Sequence, residues 1–458
     1  MLTGALGFWW RSLGGAPPPR EPLRGPAEAD VAIVGAGYTG LWTAYYLKRA
    51  QPGLRVVVLE RERAGFGASG RNGGWVSGFF AGSPVVYERA GGRAGLVALQ
   101  RAMLGSVDEV GEVLAAHGLQ ADFVKSGQLT VALGEAQATR LAAWVQSARE
   151  RGYGSHDLEH LSAPHVQERV RVGAARAGAF SPHVARVHPA KLLSGLAAVV
   201  EGLGVPIYES TPVREVRRGE AITAAGSVRA RWVVCATEGY TASLRGRRRA
   251  LVPLNSSMII TEPLTPGAWE QIGWQAHEVM SDHAHVYVYL QRTADGRIAI
   301  GGRGVPYRFA SRTGGEGEIA PATVAGLQRK LAQMLPPAGD AAIAHAWSGV
   351  LGVARDWCPA VAADRSSGIA WAGGYVGQGV AAANLAGRTL RDLLLERETA
   401  LTSLPWVGRS PRRWEPEPLR WPAIRGVYRL YRHADRNEQR SGRPSRLARL
   451  ADAVSGRG

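Results

Sequence analysis

Hydrophobic and polar positions follow two different periods along this chain, and together they predict an α/β fold. Short apolar runs, typical of buried strands, cover residues 30–34, 56–59, 231–236 and 369–373. Apolar residues three and four positions apart predict helices at 96–118, 136–151, 190–203, 322–334 and 380–396. Alternating residues predict further strands at 127–133, 253–262, 285–291 and 297–301. Asp295–Gly296 predicts a hairpin turn between the last two.

The order of these elements predicts two domains, each built from separated segments of the chain. Strand–turn–helix units, typical of a nucleotide-binding layer, recur near the start, the middle and the end, and alternating strands fill the blocks between them. We expect a discontinuous Rossmann-like nucleotide domain at 29–85, 185–250 and 345–400. The expected remainder is an inserted α+β substrate domain at 86–184 and 251–344, an N-terminal arm at 1–28 and a basic helical C-terminal tail at 401–458.

The composition is that of an ordinary globular enzyme. The chain has 458 residues, 45% apolar and 20% charged, which is too long for one simple core. No apolar run approaches the length of a membrane span and the first residues make a poor signal peptide, so we expect a cytoplasmic protein. The two cysteines, Cys235 and Cys358, exclude a disulfide framework, and no Cys/His cluster has metal-ligand spacing.

The net charge of +17 is concentrated partly in the tail. Only four of the 55 basic residues are lysines, a bias that often reflects coding composition. Residues 401–458 hold thirteen arginines against five acids, and Arg245–Arg249 adds a basic loop. A helix at 422–440 would place Ile424, Val427, Tyr428, Tyr431 and Ala434 on one side and arginines on the other. We expect its apolar side to pack against the body; a membrane-surface or partner face remains the alternative.

The first glycine motif indicates a dinucleotide site. The run at 30–34 leads into Gly35-Ala36-Gly37-Tyr38-Thr39-Gly40, a helical pattern follows, and Glu60 and Arg61 come directly after the next strand. In this fingerprint Gly35 allows a tight turn, Gly37 lets a pyrophosphate approach, Gly40 lets helix and strand pack closely, and Glu60 accepts from a ribose hydroxyl. The pyrophosphate would lie at the positive end of the helix dipole.

Two further glycine-rich segments indicate an extended cofactor. Ala68-Ser69-Gly70-Arg71-Asn72-Gly73-Gly74 combines close backbone approach with donors for phosphate or ring oxygens. Gly373-Gly374-Tyr375-Val376-Gly377-Gln378-Gly379 opens a helix whose N-terminus would stabilise negative charge on a reduced flavin. Either segment alone is compatible with an ordinary turn; the three together predict a flavin nucleotide.

These motifs resemble the D-amino-acid oxidase-like superfamily of FAD-dependent amine oxidoreductases, which includes glycine and sarcosine oxidases. The resemblance is greatest to its γ-glutamylputrescine oxidoreductase-like and aminophosphonate oxidoreductase-like branch, and it covers residues 28–397. It rests on the late glycine segment and on four others, namely Gly37–Leu41, Gly67–Gly74, Thr261–Leu264 and Gly301–Arg303.

The resemblance implies that the cofactor is FAD and indicates which residues would contact each part of it. Gly35, Gly37 and Gly40 would line the pyrophosphate and Glu60 would bind the adenosine ribose. Val213 would offer its backbone to adenine, Ala236 and Thr237 would close over the middle of the FAD, and Gly373 to Gly379 would meet the isoalloxazine edge. Sarcosine-oxidase-like members attach FAD through a cysteine near the position of Trp347–Gly349; this chain has none there, so non-covalent FAD is expected.

Candidate substrate residues follow from strand geometry. Tyr287 and Tyr289 would share a face of their strand, and Arg303 follows the next strand, where a guanidinium would hold an acidic group bidentately. Trp75 follows the second glycine segment and would wall the site. Trp75, Tyr289 and Arg303 are the predicted catalytic residues, although a surface arginine and a core tryptophan are equally compatible with the pattern.

The predicted function is oxidation of a C–N bond of a small amine or amino acid by hydride transfer to the flavin, giving an imine that hydrolyses. The electron acceptor, oxygen or another compound, stays open. One alternative is a flavoprotein that acts on a modified RNA base, which the arginine-rich tail favours and the lack of a recognised RNA-binding module opposes. A non-catalytic flavin-binding protein is the other.

Overall fold

The computed structural model describes residues 2–4, 7–302, 304, 306–313, 315 and 317–457. Its helices are α1 (Phe8–Arg11), α2 (Tyr38–Ala50), α3 (Pro84–Ala116), α4 (Glu135–Glu150), α5 (Ala163–Arg169), α6 (Pro189–Gly202), α7 (Pro266–Ile272), α8 (Pro321–Met334), α9 (Gly379–Leu394), α10 (Arg420–Ser441) and α11 (Arg446–Ser455).

The strands are β1 (Leu2–Thr3), β2 (Ala27–Val34), β3 (Val56–Leu59), β4 (Trp75–Ser77), β5 (Gln128–Ala132), β6 (Glu159–Ser162), β7 (Ala177–Ser181), β8 (Val184–Arg186), β9 (Ile207–Tyr208), β10 (Glu215–Arg217), β11 (Glu220–Ile222), β12 (Ser227–Cys235), β13 (Val252–Thr261), β14 (Val279–Asp282), β15 (Val288–Arg292), β16 (Ile298–Gly302), β17 (Ile343–Val353), β18 (Ala360–Asp364) and β19 (Ile369–Gly373).

A parallel layer forms the centre of one sheet. β2 pairs in parallel with β3 on one side and with β12 on the other, and β12 also pairs in parallel with β19. The four residues Val56–Leu59 are all buried, which is why this strand is an unbroken apolar run rather than an alternating one. The meander β10–β11 and the strand β18 extend the sheet with antiparallel pairs.

A second sheet is mainly antiparallel. Within the described residues its strand order is β1-β17-β13-β16-β15-β14-β5-β7-β6. β13 is buried at every position because it lies between β16 and β17. The predicted hairpin joins β15 to β16, and the Thr293 amide donates to the Arg297 carbonyl at 2.9 Å across its turn.

The first 28 residues are more than the expected arm. The short helix α1 buries Trp9 and Trp10, which are 1% and 3% exposed, and the ring of Trp9 packs edge-on against Trp347 at 6.0 Å. β1 pairs in parallel with β17, and β2 begins at Ala27, inside the segment assigned to the arm. The aromatic residues of α1 explain the difference, because they are stabilised by burial in the core rather than by exposure in a loop.

The tail helices pack as the sequence predicts. Ile424, Val427, Tyr428, Tyr431 and Ala434 of α10 are all buried. α11 folds back on α10, and Asp452 accepts a hydrogen bond from the Tyr431 hydroxyl at 2.6 Å. The apolar stripe is therefore the face by which the tail is attached.

The α/β fold class is confirmed: a parallel layer carrying helices is joined to a mainly antiparallel sheet. The domain boundaries given above remain a prediction. Among the described residues, none of the helices is both long enough and apolar enough to cross a membrane.

Candidate cofactor and substrate site

The carboxyl ends of the parallel strands meet at one edge of the sheet and define the site. In register, Val34 lies beside Leu59 on one side and Cys235 on the other, and Cys235 lies beside Trp371. The turn after β2, Glu60 after β3, Ala236 and Thr237 after β12 and the glycine segment after β19 therefore converge. Sequence segments far apart in the chain supply one cleft, as is usual for open α/β sheets.

Two glycines of the first turn are required by close approach. A Cβ on Gly40 would lie 2.0 Å from the Gly35 carbonyl oxygen, so α2 can pack on β2 only without a side chain there. Gly35 has φ +107, and a Cβ on it would lie 2.6 Å from the Ala236 carbonyl oxygen. These contacts bring the N-terminus of α2 to the strand ends, where its amides face the cleft.

Glu60 is held by the same turn. One carboxylate oxygen accepts from the Ala36 amide at 2.8 Å and the other from the Glu62 amide at 3.0 Å. Burial raises the pKa of the Glu60 carboxyl above its usual value, and the two amide donors oppose this rise. The side chain is half-buried and lines the cleft, so lone pairs on both oxygens remain for a ribose hydroxyl.

The second glycine segment is folded onto the first. The Tyr38 amide, at the start of α2, donates to the Ser69 hydroxyl at 2.9 Å. The Asn72 side chain donates to the Ser69 carbonyl at 2.7 Å and accepts from the Gly74 amide at 2.8 Å, which fixes the turn. Trp9 of α1 donates to the Asn72 carbonyl at 2.8 Å from behind. The second glycine segment is therefore hydrogen-bonded both to the start of α2 and to α1.

Glu238 joins the remaining segments, and sequence reasoning missed it. It has φ +40, and its carboxylate accepts from the Gly374 amide at 2.8 Å, the Tyr375 amide at 3.1 Å and the Gly352 amide at 3.2 Å. Burial raises the pKa of the Glu238 carboxyl to about 7, although the three amides favour the charged form. Glu238 stands three residues after the end of β12, and its contacts depend on the pairing of β12 with β2 and β19, so no local sequence pattern distinguished it.

The converging segments enclose an elongated cleft. It encloses about 1110 Å³, counting its open mouth. Among the predicted cofactor residues, those that line it are Gly35, Gly37, Tyr38, Thr39, Glu60, Arg61, Ala68, Ser69, Asn72, Val213, Ala236, Thr237, Gly377 and Gly379. Sequence reasoning missed other lining residues, including Phe66, Tyr240, Ser243 and Leu351. Phe66 lies just before the predicted second glycine segment, Tyr240 and Ser243 lie in the turn after β12, and Leu351 belongs to β17. The place of each in the cleft depends on tertiary packing, so no local pattern distinguished them.

A second, smaller cleft continues from the first. The two share Ala68, Asn72, Leu351, Gly377 and Val380 as lining residues. The predicted residues Arg71, Gly73 and Gln378 line the second cleft, as do Trp75, Tyr287 and Tyr289. Trp75 meets Tyr289 edge-on at 6.0 Å, and the Tyr289 hydroxyl lies 2.9 Å from the Ser256 hydroxyl. The aromatic candidates are therefore brought together in a cleft that adjoins the cofactor cleft.

Some predicted residues lie elsewhere. Five of them line neither cleft, namely Ala36, Gly40, Gly74, Gly373 and Gly374. Ala36 and Gly40 lie behind the first turn. Gly74 is hydrogen-bonded to Asn72 and Val187, and Gly374, which follows Gly373, donates to Glu238. Arg303 lies outside the described residues.

The fold and the joined clefts are those of an oxidoreductase with a dinucleotide cofactor. The comparison with known proteins identifies the family. The chain belongs to the family described as "FAD dependent oxidoreductase", whose profile matches residues 30–393. It is 30% identical to "Probable oxidoreductase OrdL" of Rhizobium meliloti, over 83% of this chain and 86% of that protein. It is 28% identical to "Gamma-glutamylputrescine oxidoreductase" of Escherichia coli, over 84% of this chain and 89% of that protein.

Among solved structures, the glycine oxidase of Geobacillus kaustophilus superimposes with a TM-score of 0.70 at 21% identity, covering 85% of this chain and all of that one. This supports the fold. The predicted cofactor, FAD, is that of the family. The cleft fits it, since the N-terminus of α2 and the glycine contacts provide a phosphate cradle and Glu60 provides a ribose acceptor.

Proposed function

We propose that this FAD-dependent oxidoreductase oxidises the C–N bond of a small amine or amino acid. The observation that carries the proposal is the junction of the two clefts, where Ala68, Asn72, Leu351, Gly377 and Val380 belong to both. A dinucleotide in the long cleft would end at the aromatic one. The names of the relatives, which refer to γ-glutamylputrescine and glycine, agree with such a substrate.

The cofactor residues would divide the FAD between them. Glu60 and Arg61 would hold the adenosine ribose, the amides at the start of α2 the pyrophosphate, and Gly377 to Gly379 the isoalloxazine end. Bound FAD supplies a hydride acceptor. We propose non-covalent binding, since both cysteines are buried and burial raises the pKa of Cys358 to about 11, which suppresses the reactive thiolate.

The second cleft would bind the substrate and control its protonation. Among its described lining residues there is no carboxylate and no imidazole, and the aromatic residues Trp75, Tyr287 and Tyr289 line it together with the cationic Arg71. Such a wall disfavours a charged ammonium, so the amine would lose its proton to water on entry. The neutral amine would be the form able to give up a hydride from the carbon next to nitrogen, and water would hydrolyse the imine to an aldehyde or keto acid and ammonia or a remaining amine.

An anaerobic reduction screen tests this function. Amines, amino acids and aminophosphonates are each added to the protein without oxygen, and the visible absorbance of the flavin is recorded. A substrate bleaches the flavin and yields a carbonyl product that a hydrazine reagent traps. If dithionite reduces the flavin but none of these compounds bleaches it, amine oxidation is rejected. The remaining candidates are then a flavoprotein that acts on a modified RNA base and a non-catalytic flavin-binding protein.

A further inference from the structure

In the C-terminal tail the acidic side chains make contacts with the protein, and most of the arginine side chains are exposed. Its five acids are used for attachment and internal contacts. Glu415 bonds Arg355 at 3.0 Å and Glu417 accepts from the Tyr307 hydroxyl at 2.5 Å. Asp435 accepts from the His285 amide at 2.8 Å, Glu438 bonds the His285 ring at 2.9 Å, and Asp452 bonds Tyr431. Each acid is therefore engaged by the body of the protein or within the tail.

Seven arginines of α10, of α11 and of the turn between them are directed outward, whereas Arg420 is buried and Arg425 is half-buried. Arg429, Arg432, Arg436, Arg440, Arg443, Arg446 and Arg449 are all exposed. None of these side chains forms an ion pair within the described part of the chain. A coding bias would account for arginine in place of lysine, but not for the absence of acids from the outer side of these helices. An outer face of one sign attracts an anionic partner.

Exposed apolar side chains lie on the same elements. Leu450 and Val454, one turn apart on α11, are 54% and 53% exposed, and Leu419 at the start of α10 is 64% exposed. Phe309 is 48% exposed and packs edge-on against Trp421 of α10 at 6.4 Å. Of the large apolar side chains exposed in the described residues, Leu13 alone lies away from the tail.

We propose that the outer face of α10 and α11 binds the surface of an anionic lipid bilayer. Arginines would meet lipid phosphates, and Leu450 and Val454 would enter the boundary between head groups and acyl chains. Nucleic acid would use the arginines but would leave aliphatic side chains in water, so the combination favours lipid. The inner, buried stripe of α10 remains packed on the body and takes no part.

Helix α10, which carries part of this face, shares a buried cluster with the wall of the substrate cleft. Ile424 and Tyr428 of α10 belong to one buried cluster with Val376, which lines the substrate cleft. The tail therefore packs on the same buried cluster that contributes Val376 to the cleft.

Vesicle co-sedimentation of the FAD-loaded full chain tests the proposal. The probes are phosphatidylcholine vesicles and vesicles with about one third phosphatidylglycerol. The protein should bind the anionic vesicles and release on addition of salt, because screening weakens charge attraction. The charge reversal Arg429→Glu/Arg436→Glu should weaken binding about tenfold or more. Leu450→Ser should lower the binding that persists at higher salt.

A matched control separates the tail from net charge. Arg218→Glu/Arg229→Glu makes the same change of charge at exposed positions of the β10–β12 meander and should leave vesicle binding unchanged. Flavin content and melting temperature show that each variant is folded. The proposal is overturned if neutral vesicles bind equally, if the control variant loses as much binding, or if the protein binds single-stranded RNA but no vesicle.

Discussion

The carboxylate of Glu238 accepts a hydrogen bond from the backbone amide of Gly374 at 2.8 Å. Through this bond the end of β12 holds the segment that leads to the isoalloxazine end of the proposed FAD site. The same side chain also reaches Gly352 of β17, so one carboxylate connects both sheets. Glu238 has a positive φ, a conformation that costs about 1–3 kcal/mol and that these three bonds offset.

The first prediction concerns Glu238 and pH. Burial raises its folded-state pKa to about 7 from 4.5. The contribution of Glu238 to the free energy of unfolding is therefore complete below about pH 4.5 and is lost as the pH rises through about 7. In the FAD-free protein, the advantage of wild type over Glu238→Gln should shrink by about 2 kcal/mol across this window, after allowance for partial exposure. Urea unfolding at several pH values measures it; an advantage that is constant or grows would contradict the assignment.

The second prediction concerns the first turn. Gly37→Val should abolish FAD binding, because a Cβ there would already lie 2.9 Å from the Ser69 hydroxyl oxygen, and the branches would fill the phosphate space. Glu60→Ala should weaken binding by about 1.5–3 kcal/mol, the worth of a hydrogen bond to a charged group. Titration of FAD-free protein by flavin fluorescence gives both affinities. Gly53→Ala, on an open turn, is the control and should bind normally; equal affinity in all variants would place FAD elsewhere.

The third prediction concerns attachment of the flavin. Acid precipitation of the yellow protein should release all of the FAD into the supernatant, since the thiols of Cys235 and Cys358 are buried and have raised pKa values. Absorbance of the supernatant and of the redissolved pellet measures the partition. Flavin that stays with the pellet would show a covalent bond.

The fourth prediction concerns Trp75. Trp75→Ala should raise KM for the amine about tenfold, as expected for loss of one aromatic contact, while the affinity for FAD changes little. Steady-state kinetics and FAD titration separate the two effects. Trp144→Ala is the matched control, because Trp144 is half-buried and lines neither cleft. If both variants change KM alike, Trp75 acts through packing and not at the substrate.

The sequence predicts the parts of this protein that depend on local pattern. The glycine turn, its acid and the order of strands and helices were readable because each uses a short, directional signal. Glu238 and Tyr240 were not, since their place in the cleft depends on pairing between β12, β2 and β19. α1 was missed because Trp9 and Trp10 are stabilised by contacts with distant segments. α3 starts earlier than predicted, at Pro84, and continues past Gly92, whose φ of +68 interrupts the helical pattern.

The pairing order of the parallel layer has a consequence for synthesis on the ribosome. β2 emerges early, but its neighbour β12 ends at Cys235 and the partner of β12 ends at Gly373. The edge of the sheet that would receive the dinucleotide is therefore incomplete until most of the chain has been translated. Nascent chains shorter than this must keep an apolar strand edge covered by other means, and capture of the cofactor becomes one of the last steps of folding.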